Sequence, residues 1–287
     1  MSSLHRSSTT PIYRRYYNHL VLHADKNHVF ATLGHLQSLI GEDTNNNVKL
    51  QKISACGSNV LTAVLLACQI DLPEIAASYI ESEVLEEIVE PDKVSMFLEK
   101  RLTELYNTVP TLVKLYELTK VELRLCVYNV TYQRIEYISH LTHPRLSCVN
   151  ACLMAYNNPF QGRAYSYCGI EYIDASSICP MPTDCVTEED YVLCVYTVID
   201  PKCLPTTEKV ELPKAGRWSS ADTASISVHK ALNHTTKMLQ LSHMQLVKDK
   251  VKSGPQNIVY YCLYAKGLNT NSQEDYQAEL LLKHTAT

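Results

Sequence analysis

Glycine is scarce in this chain. Only 8 of its 287 residues are glycine, where average usage of about 7% would give about 20. Anion-binding loops built on glycine backbone are disfavoured unless those few glycines stand at the right turns. The C-x-x-C spacing is missing too, although there are 11 cysteines. That removes the usual zinc and redox grammars and leaves reduced, mostly buried thiols as the expectation, with no metal and no cofactor. A large excess of one charge is also lacking. Twenty-six basic against 30 acidic residues leave a formal charge of −4, which gives no general pull toward nucleic acid. Long apolar runs are absent. The longest, Val60–Ala67, is broken by Thr62 and falls well short of the roughly 20 residues a bilayer span requires. The opening MSSLHRSSTTPIYRRYY carries basic residues with no apolar segment behind them. No signal peptide is expected from it, and a cytoplasmic location is.

What is present suits a large globular domain. Hydrophobic residues make up 46% and charged residues 20%, too apolar for disorder. A chain near this length buries roughly three quarters of its unfolded surface. Residues 1–17 read as a flexible polar arm and 18–287 as one domain. Short apolar runs at His19–Leu22 and Val48–Ile53 predict buried strands. The alternating Glu122–Asn129 and Tyr132–Ile138 predict a hairpin-like pair, and Tyr165–Ile173, Tyr191–Ile199 and Ile258–Tyr264 predict further strands. Helical spacing predicts helices after His28, over Asn59–Ile70, Pro73–Val89, Asp92–Thr108, Thr111–Lys120, Leu146–Tyr156 and Ala221–Lys252, with a last one at Ser272–His284. Strands alternating with helices imply a three-layer α/β/α sandwich with a mainly parallel central sheet.

Two strand–turn–helix junctions stand out: Leu20–Leu22 through His23–His28, and Val48–Ile53 through Ser54–Ser58. A helix N-terminus after such a turn offers free N–H groups and a positive partial charge. A cysteine there, Cys56, would have its thiolate favoured. These segments resemble a known family. HLVLHADKNHVFATLGHLQSLI looks like the opening of the patatin-like phospholipases, where a strand leads into a glycine-rich loop and a helix. KISACGSNVLTAVLLACQIDLPEI is similar to their nucleophile elbow, G-x-S-x-G. The block from Pro110 to Phe160 resembles the next helix–strand–strand–helix stretch. YCGIEYIDASSICPMP resembles the block that carries the catalytic aspartate.

The departures from that pattern bear on chemistry. Carried over by position, the serine nucleophile falls on Cys56 and its flanking glycines on Ser54 and Ser58. The dyad aspartate falls on Asp174, followed by Ala175 and Ser176. The oxyanion-loop positions fall on Ala24, Asp25, Lys26 and Val29, with His28 at the family's basic position. The resemblance implies lipid acyl hydrolysis by a Ser-Asp dyad, with loop N–H groups holding the oxyanion. Losing one such donor costs roughly 2.7–4 kcal/mol. A carboxylate such as Asp25, about 4 Å from the oxyanion, would oppose it by roughly 4 kcal/mol at an effective dielectric near 20. A thiol beside a carboxylate is also held protonated by like charge. The expectation is a degenerate member that has lost activity, a pseudoenzyme acting through a lipid or membrane surface, bound peripherally, or through a protein partner. The other reading is an active acyl hydrolase or acyltransferase that uses Cys56 with Asp174. Simpler readings of His140 and His143 as a turn, and of Cys148 and Cys152 as core, accompany both.

Overall fold

The structure is a computed structural model, and it describes residues 17–23, 29–40, 50–82, 84, 91–157, 164–199, 242, 245–254 and 257–265. The expected helix at Ser272–His284, most of the one at Ala221–Lys252 and the arm before Tyr17 lie outside these residues.

Among the described residues, eight strands form one sheet. In chain order the elements are β1 (His19–Leu22), α1 (Val29–Ile40), β2 (Lys52–Ala55), α2 (Asn59–Ala67), α3 (Leu72–Ser82), α4 (Pro91–Tyr106), α5 (Leu112–Thr119), β3 (Glu122–Asn129), β4 (Arg134–Ile138), α6 (Cys148–Tyr156), β5 (Tyr165–Tyr167), β6 (Ile170–Asp174), β7 (Val192–Ile199) and β8 (Ile258–Ala265). Hydrogen-bonded neighbours follow the path β5-β6-β3-β2-β1-β7-β8, with β6 and β2 on one edge of β3 and β4 on its other edge. Strands β3, β2, β1, β7 and β8 run parallel, while β4 and β6 pair antiparallel with β3 and β5 pairs antiparallel with β6. The mainly parallel three-layer sandwich expected from the sequence is the architecture found.

Parallel strands covered on both faces need no polar alternation, and all four residues of β1 are buried. Leu20, Leu22, Ile53, Ala55, Leu123, Leu125 and Val127 face a large core with α1, α2 and α6. Helix α2 is buried nearly all round, which explains its lack of charge. Val21, Val192 and Cys194 look the other way. They pack on Met181 and on Val247 of a helical segment at 245–253. Thr111 and Ser147 each accept a hydrogen bond from the amide three residues on, so they cap α5 and α6.

The single strand expected over Tyr165–Ile173 is two strands. Cys168 (φ 51°) and Gly169 (φ 78°) place consecutive residues in the left-handed region, and the chain reverses there into a tight hairpin. Apolar and aromatic residues on both sides of the turn hid it from a reading based on composition.

Candidate functional site

Strand register explains which residues meet. Leu125 pairs with Ala55 of β2 and also with Ile138 of β4, so those strands use opposite edges of β3. Val127 pairs with Glu136 of β4 and with Asp174 of β6. Strands β2 and β6 therefore share one edge of β3 and approach each other end on. Strand β2 finishes opposite Leu125, and β6, running the other way, finishes opposite Val127. The turn leaving β2 is thereby brought to Asp174.

That turn is Cys56–Gly57–Ser58. Its left-handed residue is Gly57, at φ 61°. The Gly57 N–H lies close enough to the Asp174 carboxylate to favour its charged form. Asp174 also accepts from the Ser176 N–H at 2.8 Å and from the Ser176 hydroxyl. Its own amide donates to the Asn157 carbonyl at 2.8 Å, which holds the end of β6 against the end of α6. Burial pushes the Asp174 carboxyl up to about 6, and the hydrogen bonds from Ser176 and Gly57 only partly offset this. At the far side of the turn, the Asn59 amide donates to the His23 carbonyl at 2.6 Å. That bond ties the start of α2 to the end of β1, where the loop over residues 24–28 departs.

Cys56, the sequence-derived nucleophile position, points elsewhere. It is wholly buried, and its thiol donates to the carbonyls of Cys179 (3.1 Å) and Pro180 (3.2 Å). It packs with Cys126, Ala175 and Cys179. The fold thus brings the 56–58 turn and Asp174 together, but the residue at the apex of the elbow is Gly57, one place along. Ala24, Asp25, Lys26 and His28 lie outside the described residues. Val29 is the first residue of α1 and is buried. A signal for Gly57 was present in the sequence: it is the sole glycine between Gly41 and Gly162, and it falls at a strand-to-helix turn. Because an L side chain in the left-handed region costs about 1–2 kcal/mol, Gly57→Ala is expected to lower unfolding stability by about that much in a denaturant titration.

Sequence reasoning missed a second polar cluster, on the opposite face of the sheet. His19 Nε2 lies 2.8 Å from Ser54 Oγ, and His19 Nδ1 lies 3.3 Å from Asp190 Oδ2. Lys52 Nζ donates to Asp190 at 2.6 Å. Arg124 pairs with Glu122 at 2.8 Å and donates to the Cys185 carbonyl at 2.6 Å. The order Ser54–His19–Asp190 matches a hydrolytic triad in connectivity, but Ser54 and His19 are 0% exposed, so no substrate carbonyl reaches the hydroxyl. Burial holds the imidazole down at about 4, against the pull of Asp190, and the ring is neutral at pH 7. The cluster fastens the segment leading into β7 onto β1, β2 and β3. In register, His19 faces Lys52 and Lys52 faces Glu122. A row of polar residues at the same end of adjacent strands was the available signal.

Seven of the ten described cysteines are buried, as expected for core thiols. His140 stacks on Tyr116, and His143 sits in the same loop beside Thr142. Among the described residues no cluster of three or more His, Cys, Asp or Glu side chains is arranged to hold a metal, and no helix is long and apolar enough to cross a membrane.

No protein-family model matches the chain, and no curated protein matches it in sequence. Solved structures do. VipD from Legionella pneumophila matches with a TM-score of 0.50 at 15% identity, over 93% of this chain and 65% of the VipD chain. The structure of full-length SpcU in complex with full-length ExoU from the type III secretion system of Pseudomonas aeruginosa matches at a TM-score of 0.42 and 10% identity, over 84% of this chain and 54% of that one. At these identities the likeness is one of fold, and the chain spans less than two thirds of the length of the structures it resembles. The shared arrangement is the patatin-like three-layer sandwich that the four sequence blocks suggested.

Proposed function

We propose that this chain is a patatin-like protein without acyl hydrolase activity, a pseudoenzyme that acts by binding a lipid surface or a protein partner, on the cytoplasmic side. One observation carries the reading: the turn that faces Asp174 presents Gly57. In hydrolases of this general design the nucleophile stands at the sharp apex between strand and helix, where its oxygen is exposed. Here that apex has no side chain. Asp174 is left with a backbone N–H to hold and no hydroxyl to activate.

The neighbouring sulfur does not fill the gap. Cys56 is enclosed, and its proton is committed to two carbonyls on the wall behind the turn. A nucleophile has to present its reacting atom to substrate at about 3–3.5 Å. Asp174 is also ill suited to assist a thiol, since a carboxylate nearby raises a thiol's pKa. On this reading the serine-to-glycine register, with the apex at 57, replaces the Cys56 assignment suggested by the resemblance.

The test is an assay of purified protein on a short-chain p-nitrophenyl ester and on phospholipid vesicles, with Cys56→Ala and Asp174→Asn beside it. All three are expected to match the buffer rate. Turnover by the wild type that falls at least tenfold in Cys56→Ala would reinstate the cysteine hydrolase. Sedimentation with anionic vesicles in the same preparation separates lipid binding from binding to protein alone.

A further inference from the structure

The apex of the elbow leaves Asp174 without a hydroxyl, but the turn that β6 itself runs into supplies one. The Ser176 hydroxyl donates to Asp174 Oδ2 at 2.5 Å, and the Ser176 N–H donates to Asp174 Oδ1 at 2.8 Å. The amides of Ile178 and Cys179 both return to the Ala175 carbonyl, at 2.9 and 2.7 Å, so the chain after Asp174 makes one tight turn. Aspartate often closes a turn of this kind on its own backbone. Two features go past that ordinary role. Asp174 is buried while Ser176 is half-buried and Ser177 exposed, so a carboxylate shut away from water meets the surface through the Ser176 oxygen. The Ser177 N–H, next along the chain, has no acceptor among the described residues. Half-exposed Ile178 follows it and offers an apolar surface.

We propose that Ser176 is a covalent acyl acceptor, whose hydroxyl takes one acyl group from an ester with Asp174 as the base. This goes beyond the proposed function, which concerns binding and the lack of turnover at the elbow. A nucleophilic hydroxyl needs a base within hydrogen-bond reach, a donor for the carbonyl oxygen, and access. The base is already bonded to Ser176. Where a nucleophile stands on a turn, the N–H of the following residue is one of the oxyanion donors, and Ser177 holds that place. Access is what Cys56, Ser54 and Ser58 lack and Ser176 has. Burial raises the Asp174 carboxyl to about 6, near neutrality, where a general base works best. The Tyr156 phenol of α6 is the titratable group set against it, and burial holds that phenol above its ordinary value and neutral.

The atoms balance without a cofactor. The Ser176 oxygen attacks the ester carbonyl carbon, and its proton passes to the Asp174 carboxylate. The tetrahedral intermediate collapses, the bond to the alcohol oxygen breaks, and that oxygen leaves with the proton from Asp174. One ester and one serine hydroxyl give one acyl-serine and one alcohol. A second turnover requires water against Asp174. The acylated Ser176 oxygen stands between solvent and that buried carboxylate, so the acyl group stays.

The probe is a fluorophosphonate, which phosphonylates an activated serine with loss of fluoride, read on the folded full chain by intact mass and peptide mapping. The expected result is one phosphonyl group per chain, on Ser176. It should be absent in Ser176→Ala and form about tenfold more slowly, or worse, in Asp174→Asn. In the wild type the labelling rate should rise with pH through about 6 as the carboxylate forms. A p-nitrophenyl ester should release no more than one equivalent of product above the buffer rate and leave its acyl group on the same serine. An unlabelled wild type, a label on Ser58 or Ser177 instead, or a labelling rate with no step near pH 6 would overturn the assignment. Continued release of product, lost in Ser176→Ala, would overturn the single-use acceptor. Turnover lost in Cys56→Ala, with Ser176 still labelled, would overturn the proposed function and leave the acceptor standing. The pH profile is read on the wild type, so it decides the matter even where a variant fails to fold.

Discussion

Asp190→Ala is expected to lower unfolding stability by about 3–5 kcal/mol, the range for breaking a buried charged pair from one side. The Asp190 side chain is 1% exposed and accepts from Lys52, from both the amide and hydroxyl of Thr187 (2.9 and 3.0 Å), and from His19. Removing it leaves the Lys52 ammonium, itself mostly buried, without its counter-charge, and the imidazole N–H of His19 without an acceptor. A denaturant titration at pH 7 measures the loss directly, and a change below about 1 kcal/mol would mean that water replaces the carboxylate without cost. The pH dependence has a definite sign. Burial works against the Asp190 carboxylate, but the hydrogen bonds from Lys52 and Thr187 outweigh it and hold the group at about 2. A depressed carboxylate stabilises the fold above its unfolded value, and that contribution is lost as pH falls from about 4 through 2. His19, held at about 4 by burial, adds to the loss between about 6.5 and 4, because the unfolded chain binds its proton first.

That cluster also shows what a single sequence conveys. The sheet was legible because buried parallel strands are short apolar runs, as in β1, β7 and β8, and because β3 alternates, while β2 lies at Lys52–Ala55, further along than the expected Val48–Ile53. The elbow was legible as a place, but its apex lies one residue beyond the position the motif picks out. A motif search asks which residue could attack, and Cys56 answers that question, whereas backbone geometry asks which residue tolerates positive φ, and Gly57 answers that one. Asp174 was singled out from its block as a dyad position, whereas its approach to the 56–58 turn depends on β2 and β6 sharing an edge of β3, which local sequence does not encode. The His19–Ser54–Asp190 cluster was invisible for the same reason. Its members are 35 and 171 residues apart along the chain and meet only once three strands are in register. The 168–169 turn was missed because a cysteine, not an asparagine, precedes the glycine there.

Asp174→Asn is expected to stabilise the protein, by up to about 3 kcal/mol at pH 8. The carboxyl is raised from 3.8 to about 6, with burial as the main cause, and each unit is worth about 1.36 kcal/mol between the two protonation states. The folded chain therefore binds this proton more tightly than the unfolded one. Stability falls as pH rises from about 4 to about 6, and the full cost of the charge is present above that. Asparagine is neutral at every pH; its amide oxygen keeps the bond from the Ser176 N–H, and the Ser176 hydroxyl turns to accept from its NH2. The gain over wild type should then shrink toward zero near pH 4. The His19 contribution is common to both proteins and cancels in the difference, so paired denaturant titrations at pH 4 and pH 8 isolate the carboxylate. A working dyad would give this penalty a purpose, since a raised carboxyl near neutrality suits a general base. On the proposed reading it serves no such step opposite Gly57, and the stabilised variant should sediment with vesicles as wild type does while differing from it in stability. Asp174→Asn that is no more stable at pH 8 would mean that the carboxylate keeps more solvation than its burial implies. Loss of partner binding in the same variant would place the charge itself in the interface.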